Sequence, residues 1–203
     1  MSLPQLRSLT LEQLQEVCQK QGLPRFRAAQ VYDWVQKKGI SSWDEMKNVP
    51  RDVREKLDRI VEFKPTELLR LQTSHLDGTR KYLFRFPDGQ TVEAVLMLYE
   101  RSASRDRATV CVSTQVGCAM HCAFCATGLT GLIRNLEAGE IVGQVLDIHR
   151  VLSQEDPDFR VTNVVFMGMG EPLQNYDNLL KALNLLNSPQ GQNVGMRRMT
   201  VSI

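Results

Sequence analysis

Hydrophobic positions along this chain change period twice. Over about the first 64 residues they recur at helical spacing. Thr10 and Gln13 form a capping-box pair ahead of Leu11, Leu14 and Val17, and Gly22 supplies a stop. A second predicted helix carries Val31, Trp34 and Val35 and ends at Gly39. Ser42 and Glu45 repeat the capping-box pattern for a short turn, and Pro50 opens a helix with Val53, Leu57, Ile60 and Val61 inward. From Pro65 the pattern alternates. Leu68–Thr73, Lys81–Phe86 and Thr91–Leu98 read as three strands, with Asp77-Gly78 and Asp88-Gly89 as the turns of a small antiparallel meander.

After Ala108 the pattern becomes strand, loop, helix, strand, helix, strand. Thr109–Ser113 is a predicted strand, and Glu137–Leu152 a helix striped by Ile141, Val145, Ile148 and Leu152. Val161–Met167 is a near-continuous apolar run, as expected of a parallel strand covered on both faces. A helix over Tyr176–Leu186 and a strand from Arg198 complete the series. Such alternation implies an α/β fold with a parallel sheet or barrel, whose ligands sit at the C-terminal strand ends. The expected division is a helical domain over 1–64, an antiparallel β extension over 65–106, and an α/β core over 107–203.

Composition narrows the class. At 203 residues and 42% hydrophobic content, the chain can hold one sizeable domain or two small ones. A net charge of +2 does not by itself signal nucleic acid. Arg101, Arg105 and Arg107 form a loop-like basic group that could meet phosphates. Arg51, Arg54, Lys56 and Arg59 are interleaved with Asp52, Glu55 and Asp58 and read as a solvated helix face. Five cysteines is an odd count for a disulfide framework. No leader-like or membrane-length apolar run is present, so the expected location is the reducing cytoplasm.

The chemistry concentrates in Cys118-Ala-Met-His-Cys122-Ala-Phe-Cys125. Ordinary electron-transfer cubes take four thiolates, whereas three at this spacing would leave one iron open for a substrate or cofactor. A structural zinc site using these cysteines with His121 or Cys111 is the alternative. Such sites pair a two-Cys knuckle with a second distant ligand pair, and His75 and His149 stand alone. Glu93 is the only charge in an apolar strand. Alternation places it on one face with Val95, Met97 and Tyr99, where burial would raise its pKa and suit proton abstraction. An edge-strand glutamate pointing into water fits the residues equally well.

Thr109–Cys125, Asn163–Pro172 with its Gly-Met-Gly-Glu-Pro segment, and Arg197–Ser202 resemble the RlmN/Cfr family of radical S-adenosylmethionine (SAM) RNA methyltransferases, with the RlmN branch nearer. The resemblance extends to the helical segment and the meander. It implies a partial radical SAM (βα) barrel, comprising the first three βα units. Cys118, Cys122 and Cys125 would hold a [4Fe-4S] cluster, while Gly170, Glu171 and Ser202 would contact SAM. Glu93 would be the proton acceptor and Cys111 would help resolve a protein–RNA intermediate. Cys18 matches no functional position and reads as core.

The implied activity is methylation of C2 of an adenine in 23S rRNA and of the adenosine 3′ of the anticodon in tRNAs. It would use two SAM molecules and a reducing electron donor such as flavodoxin. The sequence stops at Ile203, after three predicted parallel strands, and has no cysteine matching the methyl-carrying one near the family's C-terminus. The expectation is a truncated chain, inactive alone. A silent RNA-binding or cluster-binding fragment and a Cfr-type C8 methyltransferase are the alternatives. Glu100–Arg105 reads as a short insertion before the Cys111 strand.

Overall fold

The computed structural model describes residues 3–99 and 107–202. Arg101, Arg105 and the expected insertion at Glu100–Arg105 therefore lie outside the described residues.

The helical periodicity is realised by α1 (Leu11–Lys20), α2 (Arg25–Tyr32) and α3 (Arg51–Asp58). Thr10 caps α1 through the reciprocal bonds its spacing with Gln13 predicts. The Glu45 carboxylate accepts from the Ser41 and Ser42 backbone N–H groups at 2.8 and 2.9 Å, fixing the short turn Trp43–Glu45. A π turn, Asp33–Lys37, prolongs α2 without any warning from the apolar period. Leu14, Cys18, Val31, Val35, Val53, Leu57 and Val61 are buried together as one apolar core.

Five strands then build most of one sheet. They are β1 (Glu67–Thr73), β2 (Arg80–Arg85), β3 (Thr91–Tyr99), β4 (Arg107–Cys111) and β7 (Asn163–Phe166). Two short strands, β5 (Gln115–Gly117) and β6 (Leu132–Asn135), pair separately as a hairpin. The last strand, β8 (Met199–Val201), completes a six-stranded sheet in the order β1-β2-β3-β4-β7-β8. Pairing is antiparallel from β1 to β4 and parallel across β4, β7 and β8. The meander and the parallel strands thus form one continuous sheet. Tyr82, Phe84, Val92 and Leu96 enter the same core as Val110, Val164 and Phe166.

Helices α4 (Ala138–Glu155) and α5 (Tyr176–Asn187) supply the crossovers and much of that core. Residues Ala138–His149 of α4 are all buried, not just the predicted stripe. The reason lies in the N-terminal segment, which packs on the side of α4 away from the sheet. Ser8 Oγ accepts from the Gly139 N–H at 2.8 Å, and Arg7 bonds both oxygens of Asp147 at 3.0 and 2.9 Å.

The expectation that Val161–Met167 would be covered on both faces is corrected. Val164 and Phe166 are buried, whereas Asn163 and Val165 on the other face are only half-buried. Among the described residues that second face of the sheet carries no helix. The same asymmetry runs through β3, where Val92, Ala94 and Leu96 are buried and Glu93, Val95 and Met97 lie open or half-open.

Candidate active site

The open face of the sheet and its C-terminal strand ends collect the chemistry predicted from sequence. Val95 faces Cys111 in the β3–β4 register, so Glu93, two residues earlier, is the diagonal neighbour of Cys111 on one face. Glu93 is neither desolvated nor on an edge. Its strand is paired on both sides, and its side chain is 47% exposed and ion-paired with Lys81 at 2.9 Å. The expected burial is absent because nothing covers this face among the described residues.

Cys111 is half-buried, and burial pushes its thiol above the ordinary range against an opposing hydrogen bond from the Met167 backbone. Since the thiolate is the reactive form, alkylation of Cys111 by iodoacetamide should lag that of the denatured chain at equal pH. The gap should close as pH rises through the raised native pKa. Peptide mass spectrometry after timed labelling checks this, and equal rates at neutral pH would contradict it.

The three motif cysteines occupy the tip of the β5–β6 hairpin. Gly117, with φ +73°, makes the turn into this tip, and a Cβ there would sit 1.9 Å from the Gly131 carbonyl oxygen. That close approach lets the Cys118 N–H bond the same oxygen at 3.0 Å and close the neck of the loop. Cys118 is buried at this neck, Cys125 is half-buried, and Cys122 is exposed. Cys125 is held below the usual thiol range, first by the Thr127 backbone N–H, then by Gly128 and the Thr127 hydroxyl. The Met120 N–H points at Cys118 Sγ, 3.5 Å away. His121, at φ +49°, holds a left-handed conformation uncommon outside glycine. Among the described residues no three His, Cys, Asp or Glu side chains converge into a closed metal cage. The thiols share one loop, and backbone donors at Cys125 favour the thiolate form that iron requires.

The Gly168–Pro172 segment lies against the strand that leads to this hairpin. Gly170 takes φ +100°, and a Cβ there would lie 2.5 Å from Gln115 Cβ. Only glycine lets the two backbones meet. The Thr114 N–H donates to Met169 O at 2.9 Å, and the Glu171 N–H donates to Gln115 Oε1 at 2.8 Å. The Glu171 carboxylate itself accepts from Leu173 N–H. Ser202 follows β8 and is exposed. Cys118–Cys125, Gly170 and Glu171 are thereby gathered around Ser113–Gly117.

Sequence reasoning missed the residues that do the gathering. Ser113 is fully buried, and its hydroxyl donates to Glu93 O at 2.6 Å while accepting from Met169 N–H at 2.9 Å. Its own backbone is clasped by the Gln144 amide, with both bonds at 2.9 Å. Asn175 Nδ2 adds bonds to Thr114 O and Leu136 O. One signal was legible: Gln144 interrupts the Ile141–Val145–Ile148 stripe with a polar side chain. Replacing it with leucine leaves two buried backbone groups unpaired and should cost about 2–4 kcal/mol. Urea unfolding measures the loss.

Of the two basic groups weighed from sequence, the α3 group is compensated as expected. Arg51 pairs with Glu55 and Arg54 with Asp44. Arg107 instead lies over the Tyr99 ring, 5.5 Å from its centre. Cys18 is fully buried in the helical core.

Comparison with known proteins agrees with this arrangement. Residues 5–63 match the family model described as the ribosomal RNA large subunit methyltransferase N-terminal domain. The probable dual-specificity RNA methyltransferase RlmN of Desulfitobacterium hafniense (strain Y51) is 58% identical over 97% of this chain and 55% of its own length. The RlmN relative from Heliobacterium modesticaldum is 48% identical over 97% of this chain and 51% of its own. A solved radical SAM methyltransferase from Sphaerobacter thermophilus superposes with a TM-score of 0.88 at 42% identity, covering 98% of this chain and 56% of that one. Over nearly its whole length the chain is similar to these RlmN relatives. It spans about half the length of the curated RlmN relatives it matches. Its mixed α/β sheet is that of a radical SAM methyltransferase over the shared region.

Proposed function

We propose that this chain carries the cluster- and SAM-binding part of a radical SAM RNA methyltransferase. Its reaction would be methylation of C2 of an adenine in 23S rRNA and of the adenosine 3′ of the anticodon in tRNA. The observation that carries the reading is the hairpin loop Cys118–Cys125, joined through Ser113–Gly117 to the Gly168–Pro172 segment. The curated RlmN relatives support the choice of reaction.

Cys118, Cys122 and Cys125 would hold a [4Fe-4S] cluster, whose chemistry when reduced is to cleave SAM and so reach an unreactive carbon. Three thiolates from one short loop fit that group, because the backbone N–H donors around Cys125 stabilise negative sulfur. The exposed tip residues Met120, Phe124 and Leu129 give the loop an apolar surface for a bound nucleoside to cover. Gly170 lets backbone approach SAM closely. Glu171 offers a carboxylate to the cofactor's amino group, and Ser202 a hydroxyl on the neighbouring strand.

Glu93 and Cys111 stand as neighbours on the open face. A base carbon could lose its proton to Glu93 Oε, which is held in place by its ion pair with Lys81, with Cys111 as its diagonal neighbour on the same face. The hydroxyl of Ser113 fixes the Glu93 backbone relative to the SAM segment. Cytoplasmic location and a flavodoxin-like electron donor follow from the same reading. No helix among the described residues is long and apolar enough to cross a membrane.

The partial reaction is the test. Anaerobically reconstituted protein, reduced with dithionite, should convert SAM to 5′-deoxyadenosine and methionine. Retention of iron without any deoxyadenosine would reduce the chain to a cluster-binding module. Colourless protein loaded with zinc would overturn the reading entirely.

A further inference from the structure

A basic concavity lies at the opposite end of the sheet from the cysteine loop. A cleft of about 780 Å³ runs between the end of the α2 extension and the loops that enter β7 and β8. Lys37, Lys38, Arg160 and Arg198 line it, and no aspartate or glutamate does. Among the described residues, Arg160 and Arg198 have no carboxylate within ion-pairing distance, while Lys37 and Lys38 share Asp33 at 3.9 and 3.5 Å. The walls are fixed in place. Gln192 Nε2 donates to Gln36 O and Lys37 O at 3.0 and 3.1 Å, tying the α5–β8 loop to the helical segment. Asn193 in that loop holds φ +54°, and Arg160 Nη1 is anchored on Pro157 O and Phe159 O. His149, 8% exposed in the wall, has its pKa lowered by burial first and then by the charge of Arg160.

We infer that this cleft is a second contact for the RNA substrate, binding its phosphodiester backbone at the N-terminal ends of β7 and β8. The inference rests on the proposed RNA methyltransferase reading and adds a site to it. Phosphate, not base, is the chemistry indicated. The cleft contains four cations, and its one aromatic ring, His149, is only 8% exposed, so it can neutralise charge but offers no open stacking platform. The four cations come from three places, the end of the α2 extension and the loops before β7 and β8, which suits successive phosphates along a strand better than one small anion. β7 is only about 13 Å long at ordinary strand rise. A folded RNA reaching the open face can therefore touch both ends of the sheet.

The test is binding of a fluorescent tRNA transcript to the purified chain by anisotropy, between 50 and 300 mM KCl. Two double variants are compared, R160Q/R198Q and K37Q/K38Q, whose altered side chains are all solvent-accessible. Each should weaken binding on the order of tenfold at low salt and flatten the log K versus log salt slope by about 1–2. A control variant on α3, R51Q/K56Q, should match the parent. Circular dichroism and thermal midpoints verify folding. Slopes equal to the parent in both variants would overturn the inference, as would absence of tRNA binding. Tight binding of tripolyphosphate or ATP, lost in the variants while tRNA binding persists, would also overturn it by making the cleft a small-anion site. Because the assay needs neither iron nor SAM, its failure is separable from failure of deoxyadenosine formation.

Discussion

Cys125→Ala is expected to abolish cluster retention. Reconstituted parent protein should hold about four irons per chain and absorb near ~400 nm, and the variant should fall to background in both. Cys118→Ala and Cys122→Ala should behave alike, since two thiolates cannot hold a cube that needs three. The contrast that gives the experiment meaning is with the remaining cysteines. Cys18 is buried in the helical core and Cys111 lies on the sheet's open face. Their alanine variants should retain full iron. If Cys111→Ala lost iron while Cys122→Ala kept it, the cluster would have to be moved from the hairpin tip to the sheet.

Asp147→Ala should produce the largest loss of stability among single substitutions in the packing between the N-terminal segment and α4. Arg7 and Asp147 are 1% and 4% exposed, and Arg7 also donates to Ile40 O at 3.0 Å. Thr66 Oγ1 adds a bond to Asp147. Removing the carboxylate strands a guanidinium in the interior, which costs about 3–5 kcal/mol. Replacing both partners with apolar residues, as in Arg7→Met with Asp147→Leu, should recover most of the loss. Urea midpoints at an unchanged m-value would check both expectations. A single variant within ~1 kcal/mol of the parent would mean that water reaches the pair.

Local rules were legible because they act over a few residues. Capping boxes, Asp-Gly turns and alternation placed the first three strands almost residue by residue and located the three early helices, although α2 gives way to a π turn after Tyr32 and α3 stops at Asp58, before Ile60 and Val61. What the chain could not advertise was which neighbour covers which face. α4 reads as an amphipathic helix, yet it is enclosed because Arg7 and Ser8, far away in sequence, close over its outer side. β7 reads as doubly covered, yet one of its faces is open. The hairpin β5–β6 was invisible, since strands of three and four residues carry too little periodicity to register.

The cysteines, the glycine-rich segment and Glu93 stood out by residue type and spacing. Ser113 did not, because a serine announces its partner only once the backbone has folded around it, and Gln144 showed only as a polar break in an apolar stripe. The same limit applies to the basic cleft. Its four cations come from stretches that each look unremarkably charged in the linear text.

The unbroken hydrogen-bond ladder from β3 into β4 has one more consequence. Side chains alternate across a strand, so sliding β3 by a single residue would thrust Glu93 among Tyr82, Phe84 and Val110 and eject Val92 and Ala94 into water. A stably folded but misaligned population therefore has nowhere to hide. Burial of Val92, Ala94 and Leu96 thereby fixes the face on which Glu93 and Cys111 stand together.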